Sequence, residues 1–197
     1  MRLAHRLRRS VNTLRYRFVP TEELIARVRH CAGDSARHAL IEILKERLAH
    51  QDGSLEGVDW SGLRLNQVTL SASKLSRTQF SGAELKGAYF GYCDLRVANF
   101  EGADLSEAHF READLTAAVF DGATLRGANF ARANLQRCSF VGADLVDANL
   151  WGADLRGADF TKARLANCCL IAVIVDESTH LPSTPEYETA RGEAASV

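Results

Sequence analysis

The chain has 197 residues and a net charge of −1, from 24 basic and 25 acidic side chains. That length suits one domain or one domain with an extension, and the balance of charge excludes a chain disordered throughout and a strongly basic nucleic-acid binder. Hydrophobic residues reach 46%, yet no run approaches the ~20 apolar residues of a membrane span.

Residues 1–20 are basic and amphipathic. Arg2, Arg6, Arg8, Arg9, Arg15 and Arg17 face no acid, and Leu3, Leu7, Val11, Leu14 and Phe18 recur at helical spacing. Two expectations follow: a helix packed on its neighbours with a solvated basic face, or attachment of residues 1–19 to an anionic membrane surface or an acidic partner. The segment lacks the continuous apolar stretch of a secretory signal. The five cysteines are odd in number and form no C-x-x-C pair, which predicts a reducing compartment. The expected location is therefore cytoplasmic, with a peripheral membrane position left open by the basic segment.

Residues 21–52 read as two helices. Thr21 is placed to N-cap the first, with Glu22 and Glu23 in its first turn and its end near Gly33. Asp34 is placed to N-cap the second, which runs to about Gln51 with Leu40, Ile41, Ile43, Leu44 and Leu48 as its apolar stripe. Asp52-Gly53 then reads as a turn.

From Leu55 to Leu170 every fifth residue is Leu, Phe or Trp, 24 times in succession. Two residues before each lies a small one, always Ala or Cys from Ala83 to Cys168, and the residue between is often Asp or Asn, as at Asp94, Asn99, Asp104 and Asn129. A period of five fits neither the 3.6 of a helix nor the 2 of a flat strand. It fits a chain that turns a corner every five residues, closes a square in twenty and stacks coil on coil. At a strand spacing of ~4.8 Å, six coils stand ~29 Å tall. Columns twenty apart agree: Leu55, Leu75, Leu95, Leu115, Leu135 and Leu155 in one, Trp60, Phe80, Phe100, Phe120, Phe140 and Phe160 in the next. This is an all-β solenoid, and residues 21–52 are placed to cap its N-terminal end.

Segments such as Ala103-Asp104-Leu105, Ala128-Asn129-Phe130 and Ala143-Asp144-Leu145 closely resemble the A-[DN]-L-x-x motif of the pentapeptide repeat family. The resemblance covers about 120 of the 197 residues, and the early repeats, Gly53 to Phe80, depart from the motif. It implies a right-handed quadrilateral β-helix over residues 53–175, of about six coils. Ile171 to Val175 reads as a further apolar strand, and residues 176–197 as an acidic, disordered tail with five acids against Arg191. In the family an exposed C-terminal coil sometimes makes a homodimer, and Leu170 to Val175 are placed to do so here.

No catalytic, cofactor or metal residue is assigned. The six histidines are scattered, and no H-E-x-x-H, Walker loop or G-x-S-x-G occurs. Cys93, Cys138 and Cys168 occupy small-residue slots and read as buried hydrophobes, whereas Cys169 faces outward. Asp94, Asp114, Asn134 and Asp154 stack in one column. That arrangement suggests a cation site or a raised pKa, but backbone-bonding turns explain it without a metal. Gly82, Gly102, Gly122 and Gly142 form a corner column expected at positive φ.

Outward positions of a solenoid are free to vary, so aromatics there are informative. Tyr89, Tyr92, His109 and Trp151 fall on one side by register, with Arg111 and Arg132 between them, a mixture typical of interfaces. Outward Val119, Val141 and Val146 on other sides count against confining apolar residues to that face. The expected function is a non-enzymatic scaffold or protein-binding module with an unknown protein partner. An alternative, implied by family members that imitate duplex DNA, is a regulator or protector of DNA gyrase. The 14 acids and 12 bases of residues 53–175 leave only −2 for that role and disfavour it. A third expectation is a scaffold attached to a membrane surface through residues 1–19. Nucleic-acid binding lacks a continuous basic face.

Overall fold

A computed structural model describes residues 19–31, 33–46 and 49–182 of the chain. Three helices come first: α1, Thr21–His30; α2, Asp34–Glu46; α3, Ala49–Asp52. Their sequence explains most of their bounds. Glu22 and Glu23 lie in the first turn of α1 and Arg27, Arg29 and His30 in its last, matching the helix dipole at both ends. Thr21 is not the cap that its side chain suggested. Pro20 holds the N-cap position without a side-chain bond, and its carbonyl accepts the Leu24 N–H at 3.1 Å.

Every five-residue unit of the solenoid does the same thing. In residues 98–102, the Ala98 N–H closes the preceding turn on Leu95 O (3.0 Å), and Asn99 N–H reaches back one coil to Thr78 O (3.0 Å). Phe100 and Gly102 reach forward one coil, to Val119 O (2.7 Å) and Asp121 O (2.9 Å). The fifth donor, Glu101 N–H, is taken by the Asn99 side-chain oxygen at 2.9 Å. No backbone N–H of the unit is left over, which a buried, stacked chain requires. The same side-chain bond recurs at Asp104, Asn129, Asn149 and Asp159, among others. Units without Asp or Asn lack this bond, except where a side chain of the coil before supplies it: the Lys86 N–H goes to Asn66 at 2.8 Å and the Val141 N–H to Asp121 at 3.1 Å.

The last residue of each unit turns the corner in the left-handed region. Gly82, Gly102, Gly122 and Gly142 do so at φ 62–68°, as expected, but glycine is not a requirement. Fourteen non-glycine residues, Tyr92, Glu112 and Arg132 among them, hold the same conformation. The two hydrogen bonds flanking each corner outweigh a local cost of ~1 kcal/mol or more.

Parallel bridges link residues twenty apart from Asp59–Gln79 to Asp154–Ile174, so the departing early repeats still keep register. Inside, the phenylalanines form two stacked columns. Phe100, Phe120 and Phe140 follow one another at 4.9–5.0 Å and within 3° of parallel, while the columns meet edge to face, Phe110 against Phe120 at 6.0 Å and 86°. The helices share this core. Leu24, Val28, Ile41 and Leu44 form one buried cluster with Leu55 and Trp60. Arg37, only 8% exposed, fastens them: it donates to Val28 O, Cys31 O and Arg64 O at 3.1 Å each and pairs with Asp34 at 3.0 Å.

The C-terminal end departs from expectation. Ile174 keeps the twenty-residue register, but Asp159 pairs with His180, twenty-one residues on. The extra residue is absorbed at Asp176, whose carboxylate accepts the N–H groups of Ser178 and Gly157 at 3.1 Å each. The coil therefore continues to Leu181, and residues 176–182 are part of it rather than of an acidic tail. Residues 183–197 lie outside the described residues.

Replacing Phe120 by Ala removes a ring from the middle of a stack and is expected to cost about 3–5 kcal/mol in urea unfolding, against about 0.5 kcal/mol for exposed Val97→Ala. Arg37→Met leaves three carbonyls without their donor. Its expected effect is faster amide exchange in α1 and α2, with the Phe100–Phe140 coils unchanged.

Candidate functional site

One side of the square differs from the other three. Its outward bridging residues are Thr69, Tyr89, His109, Asn129, Asn149 and Cys169, none of them an acid, Lys or Arg. In its five-residue stretches, 68–72 through 168–172, Glu112 is the one acid and Arg111 and Arg132 are the bases. The structure brings the sequence-predicted residues together here. Tyr89 stacks on His109 with ring centres 4.6 Å apart and planes at 14°. One corner on, the Arg132 guanidinium lies 4.7 Å from the centre of the Trp151 ring. Arg111 and Arg132 both turn to Glu112, at 3.1 and 4.0 Å. Tyr92 stands 60% exposed on the same corner.

Exposed large apolar residues concentrate on this side. Tyr89, Tyr92, Trp151 and Ile171 belong to it, whereas Val97, Ile174 and Val175 belong to the next side, that of Asp94 and Asp154. The outward valines that weakened the sequence argument are covered: Val146 is buried, and Val119 and Val141 are half-buried. Beside the Tyr89–His109 pair, Gln67, Gly87, Glu107 and Gly127 complete a shallow trough of about 610 Å³. Glu112 and Glu107 were not singled out from the sequence. The twenty-residue register alone places Glu112 between Tyr92 and Arg132.

The remaining candidates resolve into structure. The stacked Asp94, Asp114, Asn134 and Asp154 each accept the N–H two residues on, at 3.1–3.2 Å. Asp94 also holds Arg96 through two bonds, and Asp154 holds Arg156. These bonds, rather than mutual repulsion, govern the carboxyls, so the pKa of Asp94 and of Asp154 is lowered and not raised as stacking suggested. No group of three metal-ligating side chains occurs among the described residues.

Cys93, Cys138 and Cys168 are buried and donate to Leu70 O, Leu115 O and Leu145 O at 2.8–3.0 Å. Thr78 makes the same bond to Leu55 O at 2.9 Å, so these cysteines are a polar variant of the small slot. Burial pushes the Cys93 and Cys168 thiols up to about 12 and Cys138 up as well. Arg2, Arg6, Arg8, Arg9, Arg15 and Arg17 lie outside the described residues. No helix among the described residues is long and apolar enough to cross a membrane.

The profile for pentapeptide repeats matches eight copies over overlapping stretches from residue 54 to residue 174. The chain belongs to the pentapeptide repeat family. Such proteins form right-handed quadrilateral β-helices, which supplies the handedness. No curated protein sequence matches the chain. Among solved pentapeptide repeat structures, it is similar to HetL of Nostoc sp. strain PCC 7120, a protein involved in heterocyst differentiation regulation: 24% identity and a TM-score of 0.54. That match covers 67% of this chain and 64% of HetL, so this chain spans less than two thirds of HetL's length. Rfr23 of Cyanothece 51142 matches at 23% identity over 70% of this chain and 98% of its own, with a TM-score of 0.43. QnrB1, a plasmid-mediated fluoroquinolone resistance protein, matches at 20% identity over 72% and 89%, with a TM-score of 0.28. The likeness to HetL concerns the fold.

In this pentapeptide repeat protein, at most Cys31 and Cys169 are expected to react with a thiol reagent in the native state, and all five cysteines after unfolding. Fast native labelling of Cys93 or Cys138 would contradict their burial.

Proposed function

We propose that the chain is a non-enzymatic protein-binding scaffold whose partner docks on the side carrying Tyr89, Tyr92, His109, Arg111, Arg132 and Trp151. The observation that carries this reading is the concentration of exposed aromatic rings on one side whose only charged residues are Arg111, Arg132 and a single acid, Glu112. Tyr, Trp and Arg are the residues that most often dominate interface energies. The stacked pair and the Arg132–Trp151 contact hold them in place, so little side-chain freedom is lost on binding. In this reading residues 53–175 and the turn that follows make a rod of about six coils, and residues 21–52 close its N-terminal end. Bonds from Arg29 to Asp59 O (3.0 Å) and from Lys74 N–H to His50 O (2.6 Å) support that closure.

A DNA-imitating surface is argued against by the other three sides. On two of them several carboxylates are met by arginines of the same rod, as Asp144 is by Arg126 and Arg164 at 3.1 and 3.0 Å. The third carries Asp59, Glu101, Asp121 and Asp159 against Lys162, but the net over residues 53–175 is only −2.

Affinity capture from the source cell tests the reading. Wild type is expected to retain a partner that Tyr92→Ala/Trp151→Ala loses and that Arg77→Ala/Arg137→Ala, on another corner, keeps. A partner retained by all three proteins would place the binding surface elsewhere.

A further inference from the structure

The strip from Tyr92 to Trp151 carries more guanidinium than its own carboxylate can satisfy. Arg111 and Arg132 share Glu112, and their side chains are 53% and 54% exposed against 32% for Glu112. Each guanidinium has five N–H donors in a planar fork suited to a carboxylate. Arg96 and Arg156, by contrast, each grip their own aspartate by two nitrogens, and Arg77 and Arg137, which have no carboxylate partner among the described residues, lie beside no exposed aromatic ring there. Here the Arg132 guanidinium lies over the Trp151 ring, its carbon 4.7 Å from the ring centre, and this contact restrains it.

Size narrows the occupant. The whole side is ~29 Å tall and roughly 10 Å wide, three strand residues across. That is ~300 Å², well short of the ~800 Å² per partner that a standard globular interface buries. A single peptide segment fits it better. The strip offers two rings, Tyr92 and Trp151, three rungs apart, with Arg111, Glu112, Ala131 and Arg132 on the two rungs between them.

We propose that the strip formed by Tyr92, Arg111, Arg132 and Trp151 binds, in trans, a short acidic peptide segment that carries an aromatic residue. Its carboxylates pair with Arg111 and Arg132, and its ring lies against Trp151 or Tyr92. The proposal rests on the reading of this side as the docking surface and adds the chemistry of what docks there.

The full-length protein, titrated with a labelled random copolymer of Glu and Tyr, with poly-Glu and with a thymidine oligonucleotide, gives the test. The copolymer is expected to bind at least about tenfold tighter than poly-Glu and to weaken at about 0.3 M salt. Arg111→Glu/Arg132→Glu and, separately, Trp151→Ala are expected to cost about tenfold or more, and Arg77→Glu/Arg137→Glu much less. Circular dichroism and urea midpoints confirm that these exposed substitutions leave the fold intact. An oligonucleotide that binds as tightly as the copolymer would overturn the proposal. So would equal losses in both double variants. Glu186, Tyr187 and Glu188 of the chain itself have the same chemistry. A tenfold gain on Glu186→Gln/Tyr187→Ala/Glu188→Gln would overturn binding in trans in favour of that segment. If affinity capture through this side succeeds while the copolymer fails to bind, the docking surface stands and its proposed chemistry falls.

Discussion

Each corner of the solenoid must find partners for five backbone N–H groups within five residues. Four go to carbonyls, one in the turn and three in the coils before and after; where Asp or Asn stands two residues back, its side chain takes the fifth. This is why the motif has the form it has. A small residue lets backbones approach, Asp or Asn takes the spare donor, and a large apolar residue fills the square. The corner itself holds a left-handed residue, which costs energy for any side chain but glycine. Fourteen non-glycine corners show that the surrounding hydrogen bonds are strong enough to impose it.

Apart from the Asp and Asn that take the spare donor, the outward side chains are left free of structural duty. On two sides many of them form ion pairs within the rod, such as Arg96 with Asp94 and Arg126 with Asp144, and a third carries Asp59, Glu101, Asp121 and Asp159 with Lys162 as its one base. On the fourth they are aromatic, uncharged or cationic, with Glu112 as the sole acid. A rigid ladder of this kind presents its side chains at a fixed pitch of ~4.8 Å. Tyr89 and His109 stack because they occupy adjacent rungs, and Arg132 reaches Trp151 for the same reason. The geometry of the candidate site is thus a direct product of the repeat.

Most of the candidate side was therefore legible once the period was known, since register alone assigns a residue to a side and a rung. Register does not tell how far a side chain is covered. Val146 looked like a stray surface hydrophobe and is buried, which sharpens the contrast between the aromatic side and the rest. Nor did it mark Arg37 as a buried fastener, because its acceptors at Val28, Cys31 and Arg64 come from the end of one helix, the loop after it and a coil far along the chain. The end of the solenoid was misplaced because a one-residue insertion at the Asp176 turn breaks the period without ending the coil.

The sequence by itself determined the square, the core columns and the side on which each outward residue stands, because a strict five-residue period leaves one way to bury 24 large side chains. Only the tertiary structure decided which rungs touch. Ring stacking, the sharing of Glu112 by two arginines and the lowered pKa of Asp94 and of Asp154 depend on rotamers and on distances of a few ångströms. Those are set by neighbouring coils rather than by neighbours in the chain.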